Sequence, residues 1–515
     1  MAIQHPQGYD DDFLNAIKTL IDHVNVHGKT IQDLVAEGQL TPEQFAELYN
    51  IVNAPQEVAD EWYDKFQTKY NNLETQYATS LTDLSNDVDG VEVTASKMMY
   101  TQYDDILPDR LLSSFPFDLD LDASGNFTHD FVPDEISKNP DIEIYVDGSL
   151  GSDNEMYGDG TQSKPYKSLT KAWSDINQTT WTKATIHATG EFRRTEILNE
   201  ATIPAGKTLC IIGDGDTLFY AGDKGTDYTW TADGMAYKTS RSSALNMIDR
   251  TVPSDKHGMT PPMKKVDTIA ECQSTPNSWY TDFATVWVRT HDDRTPDSEV
   301  FSILSTAAFA FVLEDDSTLY LDNFVRYGTI NPNGQNGKGR VIQNNLKISS
   351  GGYNVQGDGY AGTNVKETLS FNTVVAYNRK DGLNYHYSNT SETKRAECYA
   401  FEDNCISYGN GTDAGDQAST MHEGVTILRL NGDYDSQPGS GIVDVGGPLS
   451  VNVNCKTNGG VGMGINVSGE GHELMLVNST ATTETNGQYS VRAENAKMRG
   501  NIVKGIVSVT NLEAL

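Results

Sequence analysis

Histidines and carboxylates crowd one stretch of the chain, between Asp381 and Glu423. His386 follows Asp381 by five residues, His422 immediately precedes Glu423, and Asp413 and Asp416 lie just upstream, with Asn384, Tyr385 and Asn404 as polar neighbours. Two carboxylates held about 5 to 5.5 Å apart suit a retaining glycosidase, one acting as nucleophile and the other as acid and base. Their mutual repulsion raises one pKa and keeps a proton on offer near neutral pH. The expected catalytic set is Asp381, Glu423, His386, His422 and Asp416, with Asn384, Tyr385, Asn404 and Asp413 as substrate-binding groups. No cofactor is expected. A divalent cation held by His386, His422, Asp381, Asp416 and Glu423 is the variant, although their spacing matches no metal motif. Asp-Gly and Glu-Gly are also ordinary corner residues, so plain corners, or saccharide binding without turnover, stand as alternatives.

A stacked solenoid is what would bring such residues together. Downstream of Leu369 the chain repeats a pair of short strands. First strands begin near Leu369, Cys398, Leu428, Leu449 and Leu474. Second strands open with a residue followed by Gly, at Asp381-Gly382, Glu423-Gly424, Ser440-Gly441, Gly459-Gly460 and Asn486-Gly487. Recurrence at this spacing is expected of coils that each turn the same corner. If Asp381 and Glu423 hold one place in successive coils, their backbones lie about 4.8 Å apart.

Upstream, Ile142-Glu143-Ile144-Tyr145-Val146-Asp147 alternates as a strand and runs into Gly151-Ser152-Asp153, Gly158-Asp159-Gly160-Thr161 and Lys164-Pro165-Tyr166. Leu169, Ala172, Trp173 and Ile176 then share one helical face, with Ser168 placed to cap the first turn. Short strands follow at Ala184–Ala188 and Lys207–Ile212. A polar, aromatic insertion is expected over about 217–284, with the coils resuming at Thr285–Thr290. Residues 1–90 read as helices: Thr41, Pro42 and Gln44 give a start signal, and Phe66, Tyr70, Leu73, Tyr77, Leu84 and Val88 suit a short coiled coil. The irregular 91–141 reads as a neck or small β connector, with a plain linker as the alternative.

The chain has 515 residues and a formal net charge of −34. So acidic a balance argues against duplex DNA and anionic membranes as partners. Five scattered cysteines fit neither a disulfide framework nor a zinc site and read as buried thiols. No apolar run approaches the roughly 20 residues of a membrane span. The start, Met1-Ala2-Ile3-Gln4-His5-Pro6, lacks signal-peptide character, so release by particle assembly or lysis is expected.

The order of strand, Gly-Ser-Asp turn, Gly-Asp-Gly-Thr, Lys-Pro-Tyr-Lys-Ser-Leu, helix and short Gly-ended strands resembles the opening of right-handed parallel β-helix proteins of the pectate-lyase-like superfamily. There the helix plugs the open end of the solenoid. With a helical N-terminal segment and a connector ahead of it, the whole resembles a bacteriophage tailspike or tail fibre. Asp381–His386 and Thr420–Gly424 look like strands of such proteins. The resemblance implies a mainly β fold over 142–515, a homotrimer, a virion location with attachment to other tail proteins through 1–90, and assembly in the host cytoplasm. It also implies recognition, and often cleavage, of a host surface polysaccharide or teichoic acid. A non-catalytic adhesin or structural appendage, and a teichoic-acid phosphodiesterase, are the rival functions. The WIDH and RxPxxR segments of pectate lyases, the NTD, DD, GHG and RIK set of polygalacturonases and the QDTL and DFIFG segments of pectinesterases are missing, which argues against pectin chemistry.

Overall fold

A computed structural model describes residues 115, 117–121, 127–241, 244, 246–303, 309–349, 357–387, 398–411, 415–436, 439–447, 449–483, 491–502 and 507–513. The helices expected over 1–90, and Asp413, lie outside the described residues.

From Ile142 onward the chain winds as a right-handed parallel β-helix. Each full coil contributes three strands, and each strand pairs in parallel with its counterpart one coil on. One column, the site sheet, runs through Phe309–Leu313, Leu383–His386, Gln417–His422 and Ser440–Val445. The second sheet contains Ile142–Asp147, Lys183–Thr189, Thr208–Gly213, Thr318–Asp322, Tyr399–Asp403, Thr426–Leu430 and Leu449–Val453. The third sheet contains Leu218–Tyr220, Val325–Tyr327, Lys347–Ser349, Val374–Ala376, Ile406–Tyr408, Asp433–Ser436 and Lys456–Gly459. Each coil thus has three strands, not the two expected from the sequence repeat.

The expected plug is present. Ser168 caps Leu169–Ile176 by accepting from the Lys171 N–H, and Leu169, Ala172 and Ile176 are fully buried against the first coils. The described part of the connector forms a small hairpin, Leu119–Leu121 with Phe127–His129. Its flanking Phe115, Phe117 and Phe131, with His129, pack on Phe371 and Phe401, which face outward from the second sheet. His129 also reaches Asp403 at 3.2 Å.

The insertion is longer than expected and folded. It spans Gly222–Ile303 and contains a three-stranded and a five-stranded sheet. Thr285–Arg289, expected to resume the coils, instead pairs antiparallel with Ala236–Ser240 and Ser278–Thr281 inside it. Buried Asp249 anchors the unit, taking both terminal nitrogens of Arg294 at 2.6 and 3.0 Å.

The corner between the second and third sheets is turned by asparagine. Asn323, Asn345, Asn372, Asn404, Asn431 and Asn454 all adopt φ between 48 and 60°. Asparagine tolerates this left-handed conformation better than other residues with a side chain, because its amide bonds locally. The amides also bond from coil to coil, Asn404 to Asn372 at 2.7 Å and Asn454 to Asn431 at 3.2 Å.

Inside the solenoid most columns are aliphatic or aromatic, but one is polar. Gln343, Ser370, Glu402, Arg429 and Asn452 stack in register, all fully buried. Arg429 donates to Asp444 at 2.8 and 2.9 Å and to Ser419 at 3.0 Å. Glu402 accepts from Ser419 at 2.8 Å and from the Tyr434 hydroxyl. Burial works against the Asp444 charge, yet the Arg429 guanidinium and the Ser450 hydroxyl hold its carboxyl below the usual range. A buried ion group whose lone pairs are filled persists, while removing one member strands the others. Arg429→Met is therefore expected to cost about 3–5 kcal/mol, read as a lowered urea midpoint. Asp444→Asn, which keeps the hydrogen-bonding shape, is expected to cost less. An Arg429→Met midpoint equal to wild type would show that the network does not hold the coils.

Candidate functional site

Register decides which side chains meet. Leu383–His386 pairs with the next coil so that Leu383 lies beside Ser419 and His386 beside His422. Leu383 and Tyr385 point into the core, and Asn384 and His386 take the opposite face. Tyr385, expected to touch substrate, is thus a core residue, 2% exposed. Asp381 precedes the strand, and its Oδ1 accepts the Gln417 N–H at 2.8 Å. Its counterpart in the next coil is therefore Gln417, six positions before Glu423. At about 3.3 Å per residue, Asp381 and Glu423 are on the order of 20 Å apart along the strand direction. Glu423-Gly424 is the corner that leaves the site sheet, not the one that enters it, so the expected pairing of these two acids does not occur.

Asp381 nevertheless has an acid above it. The partner is Asp358 of the preceding coil, since Gly359 N donates to Asp381 O and Tyr360 N to Gly382 O, both at 2.9 Å. The Asn384 amide nitrogen donates to Asp381 Oδ2 at 2.9 Å and to Asp358 Oδ2 at 3.1 Å. Those two oxygens stand no further apart than the two bonds laid end to end. With one N–H to each, the roughly 120° spread of an amide NH2 sets them roughly 5 Å apart. Asp358 and Asp381 are only 4% and 5% exposed. Burial pushes the Asp358 carboxyl up to about 6. Burial, and then the neighbouring Asp358 and Asp416 charges, push Asp381 well above the ordinary carboxylate range. Two carboxyls this close favour holding one proton between them, with the repulsion from Asp358 and Asp416 directing it to Asp381. Asn384 Oδ1, buried, meets no hydrogen-bond partner among the described residues, leaving an acceptor beside the two acids. Asp416, in the loop entering the following strand, is 5% exposed.

A second group gathers at the far end of the same strands. The His386 and His422 rings stack with centroids 4.4 Å apart and planes 2° from parallel. Glu423 Oε2 lies 3.4 Å from His386 Nδ1. Burial, and then the proximity of His386, push the His422 imidazole down to about 4. Thr420 settles its tautomer. The Thr420 hydroxyl gives its one hydrogen to Val443 O at 2.6 Å, so toward His422 Nε2, 3.1 Å away, it can only accept. The proton of the neutral ring is then on Nε2 and the lone pair on Nδ1. Glu423 itself sits at φ 51°, ahead of Gly424 at 97°.

The remaining expectation fails by position. Asn404 belongs to the asparagine corner, on the opposite side of the second sheet's strand from the site sheet. The residues missed are Asp358 and Thr420. Gly357-Asp358-Gly359 reads as a turn by itself; its signal is that Asp358 and Asp381 each stand two places before a core residue, Tyr360 and Leu383, that pair with each other.

No family model matches the chain. No curated protein matches it either. Solved structures do show likeness. A protein described as a glycoside hydrolase aligns at 11% identity and TM-score 0.45, over 72% of this chain and 95% of its own. Pectate lyase Pel9A aligns at 12% and 0.30, over 74% and 80%. The Gp54 tailspike of Acinetobacter baumannii bacteriophage AP22, solved with capsular saccharide, aligns at 12% and 0.26, over 67% and 66%. These likenesses are too distant to carry a function.

The lowered His422 pKa makes a signed prediction. The unfolded chain binds a proton at this ring near pH 6.5 and the folded chain only near 4. Stability from this group is thus complete above pH 6.5 and falls as pH drops toward 4, by up to about 1.4 kcal/mol per pH unit. Buried Asp358 has the opposite slope over much of that window, so the measurement is a difference. His422→Gln should lose less stability than wild type between pH 6.5 and 4, and NMR should show Nε2–H in the wild-type ring.

Proposed function

We propose that this chain is a tailspike-type receptor-binding protein that holds a host surface polysaccharide against its solenoid and hydrolyses it at Asp358 and Asp381. The observation that supports this reading is the buried, stacked carboxyl pair bridged by the Asn384 amide, with both carboxyls raised above the ordinary range. A separation of roughly 5 Å is the spacing of a retaining pair. Asp381 gives its proton to the glycosidic oxygen while the Asp358 carboxylate attacks the anomeric carbon, forming a glycosyl ester and releasing the leaving sugar. Water then attacks the anomeric carbon as it yields a proton to Asp381, and the Asp358 carboxylate departs. Asn384 bridges the two groups and keeps them apart. The virion location, the homotrimer and the attachment to other tail proteins belong to the same proposal.

Incubation with surface polysaccharide from candidate hosts, scored by new reducing ends, tests the assignment. Asp381→Asn and Asp358→Asn are each expected to lower the rate by about a thousandfold or more while binding persists. The product should form with retained anomeric configuration by NMR. The rate should rise with pH through about 6, as Asp358 loses its proton, and fall at higher pH as Asp381 loses its own. Binding with no product from wild type would favour the adhesin. Full activity in Asp381→Asn would end the assignment.

Stability gives an independent readout. A buried acid with a raised pKa stabilises the fold below its unfolded pKa, and that contribution is lost as pH rises through the folded value. Asp381→Asn should therefore be more stable than wild type at pH 8, by on the order of 1–3 kcal/mol, with the gap closing below pH 4. A corner built only for structure would instead lose stability on this change at every pH.

A further inference from the structure

The group at the other end of the site sheet has no part in that hydrolysis. We propose that His386, His422 and Glu423 form a site for one divalent transition-metal ion of the zinc and nickel class.

Three features support it. The ligand atoms of the three side chains lie within 4.8 Å of one another. Two imidazoles and a carboxylate form a mixed nitrogen and oxygen set that favours zinc or nickel over calcium or magnesium, which prefer all-oxygen shells. The outer shell is also already built. Thr420 Oγ1 accepts from His422 Nε2 and is itself tied to Val443 O, which fixes the ring's orientation and leaves the Nδ1 lone pair to coordinate. Metal-bound histidines regularly have their second nitrogen held in this way. Glu423 is supplied from a backbone conformation that side chains with a Cβ rarely adopt, anchored by its own N–H to Val445 O at 2.9 Å. The position is a corner, and the Glu423 side chain is about half exposed, so an ion can enter from solvent.

The stacked rings show what binding must change. Two parallel rings 4.4 Å apart cannot both aim an in-plane lone pair at one ion. A turn of His386 about its Cβ–Cγ bond, a broad torsion, exchanges the 3.4 Å approach to Glu423 for coordination. Three protein ligands leave a fourth position for water or a glycan hydroxyl.

Calorimetric titration of chelator-stripped full-length chain with zinc chloride and with nickel chloride tests the site. One ion per chain at micromolar affinity is expected, unaffected by millimolar magnesium or calcium. His386→Ala, His422→Ala and Glu423→Gln should each weaken binding by at least tenfold, and Thr420→Val by about tenfold through loss of the oriented ring. Thermal melting identifies any variant that has lost its fold; Glu423→Gln, at an exposed position, is the safeguard. Absence of binding, or affinity unchanged in Glu423→Gln and Thr420→Val, overturns the proposal. Because the readout is binding, it stands or falls separately from hydrolysis at Asp358 and Asp381.

Discussion

Parallel stacking at about 4.8 Å is the constraint from which the rest of this structure follows. Each residue of a coil must sit directly over a counterpart in the next, so a side chain is chosen for two neighbours at once. The same rule builds core ladders such as Ala184, Leu209, Leu319 and Val341, an asparagine corner and a carboxyl pair. Whether such a ladder is structural or chemical depends on what the stacked groups do when they approach. Asparagine amides bond to each other. Carboxylates must share a proton or separate.

Local features were legible in the sequence because they need no alignment between coils. The plug helix shows through its own period and its Ser168 cap. Asp381, His386, His422 and Glu423 stand out by chemistry alone. What was not legible is register, because corner lengths vary from coil to coil. Glu423-Gly424 imitates Asp381-Gly382 in composition, yet it lies at the other end of the strand. Counting two strands per coil instead of three made the two corners look equivalent. Thr285–Arg289 misleads for a related reason, since alternating apolar residues suit an antiparallel sheet as well as a coil. The asparagine corner shows only when Asn323 to Asn454 are set one above another, which requires the strand pairing.

Acidic composition takes on a local meaning once the solenoid is in place. In the interior stack around Arg429, Glu402 and Asp444 are answered by a guanidinium and by hydroxyls. At the corner entering the site sheet, Asp358 and Asp381 have no such cation in hydrogen-bonding contact among the described residues, only the Asn384 amide and backbone N–H groups. Burial works to raise the Asp444, Asp358 and Asp381 carboxyls alike; at Asp444 the Arg429 guanidinium outweighs it, while at Asp358 and Asp381 nothing does.

The asparagine corner also governs how such a protein can diversify. Because Asn372, Asn404, Asn431 and Asn454 lock the phase of winding along one edge, the other two corners are relieved of that duty. Segments there can lengthen, shorten or be exchanged without disturbing the rise from coil to coil, as the Gly222–Ile303 excursion already demonstrates. A spine of this kind lets ligand preference drift rapidly in grafted loops while the scaffold beneath stays recognisable.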